Sequence, residues 1–333
     1  MKALFIGGTG TISMSITRAL AETDWDLTLV NRGNRVDRIP ANIHQITCDI
    51  NNEDELLNLI RDEEYDVVAD FIAFVPDQVH RDVRLFEGRC AQYIFISSAS
   101  VYQKPLSHYA ITESTPASNP FWQYSQAKIA CEEYLLRHYR QTGFPITIVR
   151  PSHTYADGSI PLSFHSPKGC WTEIERMRSG KPVILHGDGS SLWTVTHSID
   201  FAKGFIGLMG NIHSIGESVH ITSDESLTWN QIYASIGKAL GVEPRIAHIS
   251  TDMLVRLDSS LDGPLNGDKA HSVVFDNSKI KRLVPGFTAT IRFDEGIRQS
   301  ISALMERPEL QVFDSDWDAW IEKVLMLNFR NSP

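Results

Sequence analysis

The sequence predicts an α/β fold: a doubly wound parallel sheet followed by a smaller, mixed α/β domain. Over the first ~150 residues, short apolar runs alternate with longer amphipathic stretches, which is the pattern of strand–helix units on a parallel sheet. The first apolar run ends in the glycine-rich loop Gly7-Gly8-Thr9-Gly10. At 333 residues the chain is also longer than a single hydrophobic core usually supports, so we expect about two domains.

The elements follow from the spacing of apolar residues along the chain. The apolar runs of the first domain predict strands at 3–6, 27–30, 43–47, 67–71, 93–96 and 146–149. The amphipathic stretches between them predict helices at 12–22, 54–62 and 127–141. After Pro151 the alternation ends, and the pattern predicts a strand at 182–186 and helices at 172–180, 229–240 and 253–257.

These elements divide the chain into two regions. We assign residues 1–150 to the sheet domain, to which residues 187–212 return. Residues 151–186 and 213–330 form a second, substrate-binding region. We expect it over the C-terminal edge of the sheet, where α/β proteins bind their ligands.

Composition excludes several classes of protein. With 42% hydrophobic and 22% charged residues and no apolar stretch of ~20 residues, the chain reads as a soluble protein with no membrane partner. The four cysteines are widely spaced and no signal-peptide pattern opens the chain, so we expect free thiols and a cytoplasmic protein. The net charge of −10 argues against nucleic-acid binding. The twelve histidines do not pair at ligand spacing, so we expect no metal site.

The loop after the first strand has the sequence Gly7-Gly8-Thr9-Gly10-Thr11-Ile12-Ser13. Glycines permit a tight turn and close backbone approach, and the N-terminus of the following helix stabilises a pyrophosphate. Ser13 replaces the third glycine of the usual fingerprint, and it is small enough for close helix–strand packing. A glycine turn without a ligand is the alternative. The loop predicts that residues 1–150 bind a dinucleotide in a Rossmann-type arrangement.

The end of the second strand bears on which dinucleotide binds. It reads Val30-Asn31-Arg32-Gly33, without the acidic residue that would bind a free ribose 2′-hydroxyl. Asn31 and Arg32 can accept a 2′-phosphate, assisted by Arg35. Asparagine can also bind a hydroxyl, and Arg32 can equally be a solvated turn residue. The sequence therefore favours NADP and leaves NAD open.

Asp49 and Ile50 follow the third strand. Both are predicted cofactor-binding residues, and Asp49 is placed to meet the adenine amino group. The alternative for Asp49 is a structural one, in which its side chain caps the helix that begins near Asn52.

Tyr124 and Lys128 stand four residues apart in helix-like sequence, Gln-Tyr-Ser-Gln-Ala-Lys. At this spacing the two side chains lie on one helix face. An ammonium near a phenol favours the phenolate and lowers its pKa, which makes Tyr124 a candidate acid/base. An ordinary exposed helix pair is the alternative. The glycine loop and an upstream Ser98-Ala99-Ser100-Val101-Tyr102 segment favour catalysis.

With these motifs in this order, the chain resembles the extended short-chain dehydrogenase/reductases, specifically the NAD-dependent epimerase/dehydratase group. The resemblance covers nearly the whole chain. Beyond the motifs already quoted, it runs through Arg150-Pro151-Ser152-His153-Thr154-Tyr155, Gly187-Asp188-Gly189 with His197 and Asp200, and Asp276-Asn277-Ser278-Lys279.

The resemblance implies a role for each matching residue. Tyr124 would be the acid/base, and Lys128 would orient the nicotinamide ribose and tune Tyr124. Ser98 would hydrogen-bond the reacting oxygen, with Ser100 as the alternative. Further cofactor contacts would come from the fourth strand and from a loop over the nicotinamide, at Phe71, Ile72, Ala73, Pro151 and Ser152.

Departures from the family pattern narrow the chemistry. Sugar dehydratases of the group carry an acidic pair where this chain has Ala99 and Ser100, so dehydration is disfavoured. Trp193 stands where many members place an arginine that clamps a diphosphate, and a tryptophan cannot make that bidentate contact. His153 replaces the family's asparagine. A less charged, sugar-like substrate becomes an expectation, contacted by Ser100, Trp122, His153 and Trp193.

The sequence therefore predicts an NAD(P)-dependent epimerase or oxidoreductase that transfers hydride reversibly at a carbinol carbon of a sugar-like or nucleotide-sugar-like substrate. A weaker similarity to relatives of chloroplast stem-loop RNA-binding proteins supplies the alternative, a non-catalytic NADP-binding module with an RNA-associated or redox-sensing role. The helix that carries Tyr124 and Lys128 could also form a homodimer seam through Ile129, Tyr134 and Leu135.

Overall fold

The computed structural model describes residues 1–34, 39–61 and 63–331; Arg35 and Asp62 lie outside this description. The helices are α1 (Thr11–Leu20), α2 (Glu53–Leu59), α3 (Pro76–Phe86), α4 (Gln123–Thr142), α5 (Trp171–Arg178), α6 (Ser198–Leu208), α7 (Trp229–Leu240), α8 (Thr251–Leu257), α9 (Asp262–Pro264), α10 (Ser278–Leu283), α11 (Phe293–Met305) and α12 (Ser315–Asn331). The strands are β1 (Lys2–Ile6), β2 (Asp26–Asn31), β3 (His44–Thr47), β4 (Val67–Asp70), β5 (Tyr93–Ile96), β6 (Ala110–Ile111), β7 (Ile146–Pro151), β8 (His153–Tyr155), β9 (Val183–His186), β10 (Leu192–Trp193), β11 (Val195–His197), β12 (Ser218–Ile221), β13 (Leu227–Thr228), β14 (Ile246–Ile249) and β15 (Val274–Phe275).

The central sheet has seven parallel strands in the order β12-β7-β5-β4-β1-β2-β3. The chain moves outward from β1 in one direction and then, from β4 onward, in the other. The predicted doubly wound, Rossmann-type sheet is therefore confirmed. The reversal between β1 and β4 opens a crevice at the C-terminal ends of these strands, where such folds bind ligands.

Helices cover both faces of the sheet. Alternate residues of each strand point to opposite faces, so Leu4 and Phe5 belong to different cores. The core around Phe5 is closed by α1 and α6, and the core around Leu4 by α2, α3 and α4. Every residue of β4 and β5 is buried, as expected for parallel strands covered on both faces.

The second region packs its own core of aromatic and aliphatic side chains beside the sheet domain. Trp171, Trp193 and Trp229 belong to this core, which α5, α7 and α11 enclose. Strand β12, at 218–221, joins the central sheet beside β7, although the boundary drawn from sequence left it in the second region. No helix among the described residues is long and apolar enough to cross a membrane.

Helix α4 positions the predicted catalytic pair. It begins at Gln123, earlier than the predicted start at 127, so it carries both Tyr124 and Lys128. It ends at Gly143, whose φ of 82° is a left-handed conformation that glycine adopts readily.

Helix α3 was not predicted, because its sequence is rich in charged residues. Pro76 occupies its first turn, where a missing N–H costs nothing. The side-chain oxygen of Gln78, Oε1, accepts hydrogen bonds from the backbone amides of Phe74 and Val75, at 2.6 and 3.2 Å.

Candidate active site

The glycine loop between β1 and α1 is held tightly. Gly7 and Gly8 have φ values of 102° and 86°, and a Cβ on Gly8 would lie 2.7 Å from Leu29 Cδ2. The Gly10 amide donates to Ser13 Oγ at 2.9 Å. The serine that replaces the third glycine therefore packs inside the loop and stabilises it.

A cavity of about 460 Å³ lies between this loop and the ends of the neighbouring strands. Of the predicted cofactor residues, those on its wall are Gly7, Thr9, Asn31, Arg32, Asp49, Ile50 and Ile72. Gly10 is the N-cap of α1, and Thr11 and Ile12 are its first two residues; none of the three is part of the wall. Phe74, Gln78 and Arg81 also line the cavity and were not predicted.

Asn31 lies at the end of β2, on the wall of this cavity. Its Oδ1 accepts the Gly33 N–H at 2.8 Å, which fixes the orientation of the amide. Its Nδ2 is buried and has no hydrogen-bond partner among the described residues. Arg32 beside it is exposed. This end of the cavity therefore combines an uncharged amide with an exposed cation.

Asp49 is exposed and does not cap α2. Its Oδ1 accepts the backbone and side-chain N–H groups of Asn51, both at 3.0 Å. Asn52 is the N-cap, and its side chain accepts the Glu55 N–H at 3.4 Å. The capping alternative for Asp49 is therefore wrong, and Asp49 lies on the wall of the cavity.

The segment after β4 does not place Phe71 at the cofactor cavity, although the sequence predicts it there. Its ring packs into the core against Phe5 and Phe205, with centroids 5.1 and 5.5 Å away, and is not on the cavity wall. Asp70 explains the shape of the segment, because its Oδ1 accepts the amides of Ile72 and Ala73 at 2.5 and 2.8 Å. Of the predicted triplet, only Ile72 reaches the cavity with its side chain.

A buried ion network anchors this segment. The Arg81 guanidinium lies 3.2 Å from Asp70 and 2.8 Å from Asp82, and both carboxylates are fully buried. The Tyr93 hydroxyl donates to Asp82 at 2.6 Å. Burial and the neighbouring Asp82 raise the pKa of Asp70 well above its usual value, although Arg81 opposes this. This network was not predicted from the sequence. The one feature that could have indicated it is Asp70, an acidic residue at the end of a buried strand.

Lys128 is almost fully buried beneath the junction of β4 and β5. Its ammonium donates to the carbonyls of Ala73 and Ile96, at 2.6 and 2.7 Å. It also lies 4.7 Å from the ring of Phe74 and 5.9 Å from that of Tyr124. Burial lowers the pKa of Lys128 to about 8. Lys128 therefore ties α4 to the loops that follow two central strands, and places a cation beside Tyr124.

Tyr124 does not have the lowered pKa that the helix pair predicted. Burial raises the pKa of its phenol, and the negative Asp268 adds to this. A hydrogen bond from Ser98 favours the phenolate and acts in the opposite direction. The expectation failed because desolvation of a half-buried phenol outweighs the effect of an ammonium that is already held by two carbonyls.

Ser98 faces Tyr124, and Ser100 lies behind it. The two hydroxyl oxygens are 2.9 Å apart, and Ser100 is only 4% exposed. The structure therefore supports Ser98 over the alternative, Ser100, as the hydroxyl beside the reacting oxygen. Ser100 also lies on the wall of the cavity that opens in front of Tyr124, but its hydroxyl is bonded to Ser98.

A second cavity, of about 280 Å³, opens in front of Tyr124. The predicted residues on its wall are Ser98, Ser100, Trp122, Tyr124, Pro151, Ser152, His153 and Trp193. Burial lowers the pKa of His153 to about 3, so its imidazole is neutral at pH 7. Trp193 stacks on Trp229 with a centroid distance of 5.4 Å, which holds its indole rigidly at the wall.

The far wall carries charged residues that were not predicted. Asp268 and Lys269 lie 3.7 Å apart at the end of a π-helical turn, Leu265–Lys269. Such turns are rare and often found at functional sites. Gly263 and Gly267 bring this segment against Trp122, since a Cβ on either would lie within 2.9 Å of the indole side chain. No motif marks these positions, so only the fold reveals them.

Two further expectations concern partners and metals. Leu135 is fully buried in the core of its own chain, so it cannot belong to a homodimer seam on α4. Ile129 and Tyr134 are partly exposed, and the homodimer stays a prediction.

Within the described ranges, no cluster of three or more histidine, cysteine, aspartate or glutamate side chains could hold a metal ion.

Comparison with known families and proteins gives consistent results. A family model described as the NAD dependent epimerase/dehydratase family matches residues 3–221. The chain is 24% identical over 241 residues to a 2'-dehydrokanamycin reductase of Streptomyces kanamyceticus, covering 72% of this chain and 67% of that protein. It is 26% identical over 263 residues to the chloroplast stem-loop binding protein of 41 kDa b of Arabidopsis thaliana, covering 74% and 65%. The chain thus spans about two thirds of the length of these relatives.

Solved structures share the fold at low identity. The epimerase Mth375 of Methanothermobacter thermautotrophicus superposes with a TM-score of 0.76 at 16% identity, covering 93% of this chain and 94% of that one. For the UDP-glucose 4-epimerase of Thermus thermophilus in complex with NAD, the TM-score is 0.70 at 19% identity, covering 92% and 99%. For the dTDP-glucose 4,6-dehydratase of Bacillus anthracis with NAD, it is 0.75 at 17%, covering 93% and 98%.

Proposed function

The chain belongs to the NAD dependent epimerase/dehydratase family, and from this premise we propose that it transfers hydride reversibly between NADP and a carbinol carbon of a sugar-like substrate. The observation that carries the proposal is the convergence of Ser98 and Tyr124 on one cavity, with the Lys128 ammonium buried behind them. The cavity beside the glycine loop supports dinucleotide binding, since Gly7, Asn31 and Arg32 line it.

The mechanism assigns one task to each side chain. A bound nicotinamide dinucleotide supplies the hydride acceptor for oxidation and the hydride donor for reduction. During oxidation the Tyr124 phenolate takes the proton of the substrate hydroxyl, and during reduction the phenol returns it. Ser98 donates a hydrogen bond to the same substrate oxygen. The ammonium of Lys128, 5.9 Å from the Tyr124 ring, stabilises the phenolate.

The same three residues serve an epimerase and a simple reductase. An epimerase turns the ketone in the site and reduces its opposite face, whereas a reductase releases it. The name of the Streptomyces relative, a reductase, supports the second course. Dehydration would need acidic residues at positions held by Ala99 and Ser100, so it is not part of the proposal.

The substrate cavity supports a compact, weakly charged ligand. Its volume of about 280 Å³ suits a sugar ring and its substituents. The indoles of Trp122 and Trp193 give its wall an apolar, aromatic lining, and the neutral His153 offers a hydrogen bond. We place the sugar-like group here, between the indoles and Tyr124.

The pH dependence of the reaction should reveal the acid/base. Because the phenolate is the active form for oxidation, the rate of alcohol oxidation is expected to rise with pH through the pKa of Tyr124, which burial raises. The rate of ketone reduction needs the phenol and should fall over the same interval. Initial rates in both directions from pH 7 to pH 11 check this, since the pKa of Tyr124 lies above the ordinary value for tyrosine, and parallel profiles in both directions would contradict it.

The preference for NADP rests on Asn31. Asn31 lies on the cavity wall and is uncharged, so it does not repel a 2′-phosphate as an aspartate at this position would. Asn31→Asp should keep the Gly33 hydrogen bond and repel a 2′-phosphate. We expect NADP affinity to fall by roughly tenfold to a hundredfold, while NAD affinity is kept or increased.

Calorimetric titration with both dinucleotides measures this change. Asn42→Asp is the matched control, because it adds the same charge at an exposed position that hydrogen-bonds the Ala21 carbonyl, outside the cavity. Equal loss of NADP and NAD affinity in Asn31→Asp would contradict the assignment.

A turnover assay tests the proposed function itself. NADPH oxidation is followed at 340 nm with uncharged keto sugars and, separately, with UDP-linked 4-keto sugars. Turnover that requires Tyr124 supports the proposal. Dinucleotide binding without turnover on either set would argue against catalysis at this site.

A second candidate function is RNA binding, favoured by the similarity to the chloroplast stem-loop binding protein. The net charge of −10 opposes it, since RNA affinity depends on basic residues. Salt-dependent retention of RNA by the purified protein, together with an absence of turnover, would reverse the order of the two proposals.

A further inference from the structure

Three serine hydroxyls form a chain that ends at Tyr124. The Ser125 hydroxyl, on α4, donates to Ser100 Oγ at 2.7 Å. Ser100 Oγ in turn lies 2.9 Å from Ser98 Oγ. Ser98, the last of the three, lines the cavity that also holds the Tyr124 phenol.

The directions of these hydrogen bonds follow from counting hydrogens. Each hydroxyl has one hydrogen to donate. Because Ser100 Oγ accepts the hydrogen of Ser125, its own hydrogen is available to Ser98 Oγ. Ser98 Oγ also accepts the backbone N–H of Ser100 at 3.2 Å. With two donors already directed at its oxygen, Ser98 has its own hydrogen left to donate toward the cavity.

Burial makes the arrangement rigid. Ser125 is fully buried and Ser100 is 4% exposed, so water does not compete for these bonds. Asn119 holds the turn from the other side, because its Nδ2 donates to the carbonyls of Ser100 and Gly267 at 2.8 and 2.6 Å. Hydrogen bonds in such a chain polarise one another and strengthen the final donor.

We propose that Ser125 and Ser100 are positioning residues, which direct the single hydrogen of the Ser98 hydroxyl into the cavity, toward the Tyr124 oxygen in the free protein and toward the reacting oxygen when substrate is bound. The catalytic use of this donor rests on the proposed function. No proton moves along the chain; the serines orient and polarise. Without the Ser125 hydroxyl, the Ser98 hydroxyl is no longer held in one orientation. Its hydrogen bond to the Tyr124 phenolate is then weaker.

Titration of the Tyr124 phenol tests the proposal without a substrate. The protein is labelled with [ζ-¹³C]tyrosine, and the resonance of Tyr124 is assigned by its absence in Tyr124→Phe. We expect Ser125→Ala to move the titration of Tyr124 to higher pH, in the same direction as Ser98→Ala and by less. In the Ser98→Ala background, Ser125→Ala should cause no further shift, because its effect passes through Ser98.

Ser163→Ala is the matched control. Ser163 is also fully buried, and its hydroxyl pairs with Tyr233 at 3.1 Å in the second region. This variant should leave the Tyr124 titration where it is. Where turnover is measured, Ser125→Ala should lower kcat by about threefold to tenfold with little change in KM.

An unchanged Tyr124 titration in Ser125→Ala, or a shift that persists without Ser98, overturns the proposal. If Ser125→Ala does not fold, Ser100→Ala removes the same link and should give the same shift. The titration is run in the free protein and again with NADP. A protein that fails to bind NADP removes the proposed function, while the titration in the free protein still decides the role of Ser125.

Discussion

Replacement of Tyr124 by phenylalanine is expected to lower kcat by roughly 10²- to 10⁴-fold, the contribution of a positioned general acid/base. Phenylalanine keeps the ring that packs against Trp122, at a centroid distance of 4.9 Å, and removes only the oxygen. The dinucleotide cavity does not include Tyr124, so NADP affinity should stay within about twofold of wild type.

Steady-state kinetics and calorimetric titration on the same preparation measure both quantities. Tyr109→Phe serves as the control, since this tyrosine is 78% exposed and belongs to neither cavity. It should match wild type in both measurements. A Tyr124→Phe variant with more than about a third of wild-type kcat would remove the proposed mechanism.

Replacement of Arg81 by methionine should lower the free energy of unfolding by about 3–5 kcal/mol, more than the other substitutions proposed for this protein. The guanidinium is the shared partner of Asp70 and Asp82, whose side chains are fully buried. Methionine has a similar length and leaves two carboxylates without their cation. Because Asp70 also shapes the segment that carries Ile72, NADP affinity should decrease as well.

Urea denaturation at pH 7 measures the change in the free energy of unfolding caused by Arg81→Met. Arg84→Met is the matched control on the same helix: Arg84 is exposed and pairs with Glu53 at 2.6 Å, and exposed pairs stabilise little. Similar losses in the two variants would contradict the role given to the buried network.

The pH dependence of the Arg81→Met variant supplies an independent check. A carboxyl whose pKa is raised in the native state binds protons there before the unfolded chain does, so protonation stabilises the fold as pH falls. Arg81 lowers the pKa of Asp70, so its removal raises that pKa further and the variant gains the stabilising proton at a higher pH than wild type does. The deficit of Arg81→Met relative to wild type should therefore begin to narrow as pH decreases from 7. The smaller deficit of Arg84→Met should change only at more acidic pH, where Glu53, whose pKa Arg84 lowers, is protonated.

The sheet and the glycine loop could be predicted because their signals are local. Apolar runs of strand length alternate with amphipathic stretches, which is the pattern of strand–helix units on a parallel sheet. The spacing of Tyr124 and Lys128 likewise needs only the geometry of one helix. These parts of the site were found from neighbouring residues alone.

The remaining parts depend on contacts between distant segments. Asp268 reaches the cavity of Tyr124 from a π-helical turn 144 residues further along the chain by number, and nothing near it in sequence marks it. The raised pKa of Tyr124 was missed for the same reason, because burial is a property of the whole fold. Phe71 was placed at the cofactor by its position after the strand, but its partners Phe5 and Phe205 draw it into the core.

Identification of the bound dinucleotide tests most simply whether this protein transfers hydride with NADP. The purified protein is denatured, the released small molecules are identified by mass spectrometry, and the stripped protein is titrated with NADP and NAD. We expect NADP to be released, or to be bound again with a lower Kd than NAD; firm retention would favour an epimerase and free exchange a reductase. If neither dinucleotide is released or bound, the claim that this site transfers hydride is contradicted.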